Sequence, residues 1–447
     1  MNWFERAVFY QIYTLGFCGA PLGNDGVLQN RICKVSEWIP HFKKLGIDAI
    51  YFCPVFESNS HGYDTRDFRQ IDCRLGSNKD FKEVVKNLHN NNIKVVLDGV
   101  FNHTGTNFWA FEDVKLHREN SQYKDWFYID FSKQGGYGSP FYYEGWERHF
   151  ELVRLNLKNP NLANYLLDLI KFWMNEFDID GLRLDVAYAL DEGFIKRLRN
   201  EIKPLKADFL LLGEAIHGDY NNLVNDEMLD SCTDYVCYKG LYSSFNDGNL
   251  FEIAYSLRRQ FGAEGIYKEK QLLEFADNHD VSRLASILKN KSHIQLVYSL
   301  LFAIGGNPCI YYGSEWGAEG VRSEKDDKAV RPYFENPQEN ELTQYISKLI
   351  KIRKENETLI NGSYNEIFVR NQQLIFERQS QANRHCGIDT QSPSGKFLIC
   401  INSEPNEYSA EFNYPPFEAI DLLTNAHIDF KGSLKLLANS AMYLLIS

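Results

Sequence analysis

The amino-acid sequence predicts an α/β fold: a (β/α)8 TIM barrel with a small insert after its third strand, followed by a C-terminal all-β sandwich domain. Three observations lead there. Apolar runs of strand length alternate with amphipathic helical stretches, and eight such pairs imply a parallel sheet buried on both faces and closed on itself. One interval, 103–159, is far longer than an ordinary βα loop. Beyond residue 357 only short, turn-bounded strands remain, with no long helix between them. The expected units are the barrel at 1–102 and 160–356, the inserted domain at 103–159 and the β-domain at 357–447. A doubly wound open sheet is the alternative way to bury the same strands.

Each element has a local reason. AVFYQIY at 7–13 is a first strand, and SEWIPHFKKLGI at 36–47 is a helix with apolar residues at helical spacing behind a Ser cap. Strand DAIYFCPVF, helix FKEVVKNLHNNN and strand KVVLDGVF repeat the unit. After the insert come helix NLANYLLDLIKFWMNEF, strand IDGLRLDV, helix DEGFIKRLRNEI and strand ADFLLLGEA. TDYVCY at 233–238 reads as a sixth strand with LFEIAYSLRRQF as its helix, and QLLEFADNH, IQLVYSLLFAI, PCIYYG and LTQYISKLIKIRKE complete the series. The insert is rich in rings, Phe108, Phe111, Phe127, Tyr137, Phe141, Tyr143 and Trp146 among them. Most should form a miniature core, and a few should line a cleft. YNEIFVR, QLIFERQ, KFLICIN, AEFNY, AIDLL and MYLLIS are the strands of the β-domain.

Composition narrows the partners. A chain of 447 residues that is 44% hydrophobic buries a large core, and its formal net charge of −12 argues against nucleic acid, which requires a basic surface. No apolar run reaches the roughly 18 residues of a membrane span, and the N-terminus does not read as a signal peptide. The nine cysteines are an odd number without CxxC spacing, several of them inside apolar runs, so free thiols in a reducing compartment are expected. The expected location is the cytoplasm; the oligomeric state is not legible in the sequence.

In a barrel of this kind the chemistry sits at the C-terminal ends of the strands. Strand three ends in Asp98, Asn102 and His103, strand four in Arg183 and Asp185, strand five in Glu214, and strand seven in Asn278, His279 and Asp280. Acids from four strands at one mouth crowd like charges, which is costly unless it has a use. Glycoside cleavage is the use that fits, since it needs one carboxylate as an anion and another kept protonated. Arg183 and Asp185 share one face of their strand, so the cation should hold Asp185 ionised and below its ordinary pKa, as a nucleophile requires. Glu214 follows an apolar run and lies near other acids, so its pKa should rise and it suits the proton donor. Asp280 would stabilise an oxocarbenium-like transition state, and His103 and His279 would donate hydrogen bonds to sugar hydroxyls.

The segments DGVFNH, GLRLDVA, GEAIH and FADNHD, in this order, resemble the four short motifs of the α-amylase superfamily, glycoside hydrolase family 13. The resemblance covers essentially the whole chain. It implies a retaining mechanism on α-glucosidic bonds, with Asp185 as nucleophile, Glu214 as general acid and base and Asp280 as third carboxylate. It further implies that Arg183, His103 and His279 contact the sugar at the scissile bond, that Tyr63 in HGYDTRDF stacks on it, and that Asp327 and Arg331 in DKAVRP form a pair touching the same sugar. Asp98 would support the site, and Asn102 matches one calcium ligand of the family.

The stretch LVRLNLKNPNLANYLLDLIKFWMNEFDIDG is similar to the neopullulanase and cyclomaltodextrinase branch, which acts on oligosaccharides, although the extra N-terminal domain of that branch is not seen before the first strand. Where many secreted α-amylases carry a Lys and a His after the nucleophile, this chain reads AYAL. Asn102 alone cannot supply the 6 to 8 oxygens calcium prefers, so no metal ligand set, no required cofactor and no certain calcium site are expected. The expected substrate is an α-1,4-linked glucan or maltooligosaccharide. A transglycosylase using the same intermediate, and more remotely a non-catalytic sugar-binding subunit, are the alternatives.

Overall fold

The computed structural model describes residues 2–136, 138–323, 326–380 and 395–446. Eight parallel strands form its centre: β1 (Phe9–Ile12), β2 (Ala49–Phe52), β3 (Lys94–Gly99), β4 (Gly181–Leu184), β5 (Leu210–Gly213), β6 (Ser231–Cys232), β7 (Leu273–Phe275) and β8 (Asn307–Tyr311). They pair in the order β6-β5-β4-β3-β2-β1-β8-β7. The ring is closed by one parallel bridge, Thr233 to Leu273. β1, β2, β4 and β5 are buried at every position, as a sheet covered on both faces demands.

Helices α1 (Ile39–Leu45), α2 (Asn78–His89), α3 (Pro160–Phe177), α4 (Glu192–Ile202), α5 (Tyr235–Asn246), α6 (Phe251–Phe261), α7 (Ile294–Ala303) and α8 (Glu341–Glu355) cover the strands. α3 shows how the sequence sets them. The Asn159 side chain accepts from the Asn161 and Leu162 amides, Pro160 occupies the first helical position, and Asp178 ends the helix in the left-handed region at φ 56°. Its buried face, Leu162, Leu166, Leu169, Ile170, Trp173 and Phe177, recurs at helical spacing, and Trp173 stacks on Phe56 at 4.3 Å.

Two expectations need correction. The eight strand and helix pairs do not hold one to one: β5 is followed only by a 3-10 turn, Tyr220–Asn222, whereas two helices, α5 and α6, follow β6. TDYVCY is not a strand: β6 ends at Cys232, Thr233 makes a single bridge, and the Asp234 side chain accepts from the Cys237 amide and caps α5.

Between β3 and α3 the chain forms a three-stranded sheet of His103–Gly105, Gly145–Trp146 and His149–Arg154, beside a helix at Trp109–His117. Phe108, Phe111, Phe127, Phe141 and Tyr143 are its core, as expected; Tyr137 lies outside the described residues. The C-terminal strands are β9 (Ser363–Val369), β10 (Gln373–Gln379), β11 (Lys396–Asn402), β12 (Tyr408–Glu411), β13 (Phe417–Asp421), β14 (His427–Phe430), β15 (Ser433–Leu436) and β16 (Ser440–Ile446). Six form an antiparallel sheet, β9-β10-β11-β16-β13-β14, and β12 pairs with β15. Arg378 of β10 donates to the carbonyls of Ala303 and Gly362, the Tyr443 hydroxyl of β16 to that of Ser299, and Arg353 of α8 to those of Phe302, Ile304, Gly306 and Leu359. The eight described cysteines are free, and Cys386 lies outside the described residues. Among the described residues no helix is long and apolar enough to cross a membrane.

Candidate active site

A cleft of about 1430 Å³ opens at the C-terminal ends of the strands, larger than the roughly 300–1,000 Å³ of an ordinary small-molecule pocket. Asp185, Glu214, Asp280, Tyr63, His103, Asp327 and Arg331 line it. Asp98, Arg183 and His279 do not; they are buried, and they hold the acids from below.

Arg183 is the centre of that lower layer. Its Nη1 donates to both oxygens of Asp98 at 2.9 Å and to Asp185 Oδ1 at 2.8 Å, while its Nη2 contacts Glu214 Oε1 at 2.9 Å. The register of β3, β4 and β5 makes this possible, because Arg183 sits directly beside Asp98 on one side and Leu212 on the other. Val186 follows the acid with φ 49°, in a region a β-branched residue rarely adopts, and this turn points its amide at Glu214 Oε2, 2.9 Å away.

Asp280 is held from two sides. His279 Nε2 lies 3.0 Å from its Oδ2 and Arg331 Nη2 2.9 Å from its Oδ1. Arg331 also contacts Asp327 at 3.0 Å and lies over the Tyr13 ring. The Tyr63 hydroxyl bonds Asp98 Oδ2 and His279 Nε2, and its ring stacks against His279. Gln11 Nε2 lies 2.8 Å from His279 Nδ1; a protonated ring needs the Gln11 amide turned so that its oxygen faces that nitrogen.

The charges sort accordingly. Burial pushes Asp98, Asp185 and Glu214 above the usual carboxylate range, and Arg183 offsets this only in part because it is shared among all three. This corrects the expectation that Arg183 would lower Asp185: burial outweighs the cation, and Glu214, Asp98 and Asp280 add repulsion. Glu214 rises as expected. Burial also works against the charge on Asp280, yet His279 and Arg331 hold it well below the usual range. Against its own burial, His279 is pushed up to about 10 by Asp280. Burial, with His61 adding to it, takes His103 down to about 3. The His103 ring faces the cleft neutral, its Nδ1 fixed 3.1 Å from the Asn102 amide and its Nε2 without a partner among the described residues.

Sequence reasoning missed much of the cleft wall. Tyr13, Tyr188, Tyr235 and Tyr333 line it, with Tyr188 4.8 Å from the His217 ring, whereas Trp146 belongs to the insert, a few of whose rings the sequence places in a cleft. Tyr188 belongs to the AYAL departure, which marked the position without giving its role. Among the described residues two clusters have metal-ligand spacing, Glu57 with Asp72 and Cys73, and Asp234 with Cys237 and Glu274. Neither includes Asn102 or a residue of the cleft.

Comparison with known proteins agrees with this geometry. Residues 11–335 match the family "Alpha amylase, catalytic domain". A maltogenic α-amylase of Bacillus acidopullulyticus is 31% identical over 437 residues, 92% of this chain and 72% of that protein. A cyclomaltodextrinase of Thermoanaerobacter pseudethanolicus is 28% identical over 99% of this chain and 78% of its own length. An acarbose-soaked crystal structure of the Nostoc punctiforme debranching enzyme superposes with a TM-score of 0.81 at 26% identity, covering 99% of this chain and 98% of that one. With the family matched over most of its length, the chain belongs to the α-amylase family and is a glycoside hydrolase of that type.

Proposed function

We propose that the chain is a retaining α-glucoside hydrolase acting on α-1,4-linked glucans and maltooligosaccharides. The observation that carries this reading is the single guanidinium of Arg183 bonded to both Asp185 and Glu214, which keeps the two carboxyls within one side chain's reach at the cleft floor. Retention calls for carboxyls roughly 5–5.5 Å apart, and inversion for roughly 6.5–9.5 Å.

Glu214, with its raised pKa, gives its proton to the glycosidic oxygen while Asp185 attacks the anomeric carbon. The bond to the leaving sugar breaks and an ester to Asp185 forms. Glu214, now a carboxylate, takes a proton from water; the water oxygen displaces Asp185 and the acid is restored. Positive charge developing on the sugar favours ionised Asp185 in the transition state, so its raised pKa in the free cleft is compatible with this role. Asp280, kept ionised by His279 and Arg331, adds to that stabilisation. Tyr63 offers a ring to the sugar, and His103 Nε2 and the Asp327–Arg331 pair offer polar contacts. Proton and nucleophile both come from the chain, so the reaction requires no cofactor.

The relatives' names, a maltogenic α-amylase and a cyclomaltodextrinase, support α-glucans as the substrate class. The free thiols support a cytoplasmic location, and the net charge of −12 supports a function without nucleic acid. Following the first product of maltooligosaccharide cleavage by NMR tests the mechanism: the α-anomer is expected, and initial release of the β-anomer would overturn it. Transfer to a second sugar is the second reading, favoured by Trp146 and Tyr188 on the cleft wall, where an acceptor could stack. Products longer than the substrate at high sugar concentration would establish it.

A further inference from the structure

We propose that Asp234, Cys237 and Glu274 form a structural site for a thiophilic divalent cation of the zinc class, separate from the cleft. Asp234 is the cap of α5, Cys237 the third residue of that helix, and Glu274 the middle residue of β7. Their ligand atoms lie within 4.8 Å of one another, and all three side chains are fully buried. None lines the cleft.

Asp234 uses one oxygen only. Its Oδ1 accepts from the Cys237 amide at 2.9 Å, from Gln260 Nε2 at 3.1 Å and from the Tyr220 hydroxyl at 3.4 Å. Its Oδ2 and both oxygens of Glu274 have no partner at hydrogen-bonding geometry, although the Cys237 thiol faces Glu274. Buried polar atoms are rarely left this way, and a carboxyl kept neutral by its proton adds a donor that must also be satisfied. Arg353 is the cation that Glu274 feels, but its Nη1 and Nη2 donate to four backbone carbonyls.

One divalent cation would answer the three orphan oxygens together. A thiolate with two carboxylates is a mixed S and O set that zinc accepts, with bonds of roughly 2.3 Å to sulfur and 2.0–2.2 Å to oxygen, so the observed spacing fits. Calcium and magnesium favour oxygen alone. Cys237 sits in the first turn of α5; burial, with Glu274 and Asp234 beside it, pushes its thiol up, so a cation would bind by displacing that proton. Gln260 Oε1, buried and also without a partner, is the candidate fourth ligand from α6. The location supplies a purpose. β6 and β7 touch through the single bridge that closes the barrel, and Asp234 and Glu274 stand on its two sides. A metal there would staple the seam.

The test is elemental analysis of the chain purified without chelator or added metal, repeated on Cys237→Ser and Glu274→Gln. About one zinc per chain is expected for the wild type, with loss of at least tenfold in each variant, a lower melting temperature and an unchanged kcat/KM below the transition. Cobalt exchanged into the wild type should show a thiolate charge-transfer band that Cys237→Ser lacks. If Cys237→Ser fails to fold, Glu274→Gln and the cobalt band decide. A wild type that carries no bound metal and does not gain stability when refolded with zinc would overturn the proposal. Metal content unaffected by both substitutions, or a Glu274→Gln variant more stable than the wild type, would overturn it as well.

Discussion

Arg183→Met is the substitution from which the site should suffer most in stability. The guanidinium bonds three buried carboxyls, Asp98, Asp185 and Glu214, and methionine fills a similar length without charge. Removing one partner of a buried ion pair costs about 3–5 kcal/mol, because the other charge is left uncompensated. Here the acids can escape by taking protons, and that gives the effect a pH signature. Burial has already raised all three above their unfolded values, and without the cation they rise further. A group that binds its proton more tightly folded than unfolded contributes stability that is fully present below the unfolded pKa, near 4, and is lost as pH rises through the folded value. Each such proton steepens the fall by up to about 1.4 kcal/mol per pH unit. Thermal melts of wild type and variant between pH 5 and 8 should therefore diverge, the variant losing several more degrees at the alkaline end, and activity should drop at least about 100-fold. Parallel melting curves, or a variant as stable at pH 8 as at pH 5, would refute the account of Arg183 as the shared counter-charge.

Asp185→Asn and Glu214→Gln should each lower kcat by several orders of magnitude while leaving the circular dichroism spectrum intact; a near-native rate in either would remove that residue from its role. Asp180 tests the opposite case. It precedes β4, its carboxylate is bonded by His89, Lys94 and Lys206, and against burial His89, Lys206 and the Val95 amide hold its pKa down. Its stability contribution is present above the unfolded pKa and is lost only as pH falls through the depressed folded value, so Asp180→Asn should lower the melting temperature in full at pH 7 and by a gradually smaller amount below about pH 4, with kcat/KM unchanged at 25 °C. On a ladder of maltooligosaccharides kcat/KM should climb for the first few units and then level off, and Trp146→Ala should flatten the climb; a strong preference for long polymer would contradict both.

The acids were legible in the sequence because strand ends carry chemistry in a parallel barrel, and Asp98, Asp185, Glu214 and Asp280 each end such a run. Their depth was not. Arg183 and Asp185 share a face, but the alternation could not show that Arg183 would be divided among three carboxyls below the cleft floor. The pKa order followed from that division. The sixth strand was misread because Tyr235, Val236 and Cys237 favour strands, while the competing signal was the single carboxylate cap of Asp234. β14 and β15 went unread since each is four residues long and half exposed. The cleft aromatics come from segments distant in sequence, and only the fold brings Trp146, Tyr188 and Tyr333 to one surface.

The carbonyl contacts at the end of α7 determine how divisible the molecule is. A helix terminus needs donors for its last carbonyls, and α7 receives them from Arg353 in α8 and from Arg378 and Tyr443 in the β-domain. Two of those three donors arrive from more than 70 residues downstream. A barrel expressed without the β-domain would lose two of these donors and expose the apolar surface around them, so the two parts are expected to melt in one transition and to resist being cut apart by protease. A β-domain grafted from elsewhere would have to bring its own arginine and tyrosine to the carbonyls of Ala303 and Ser299.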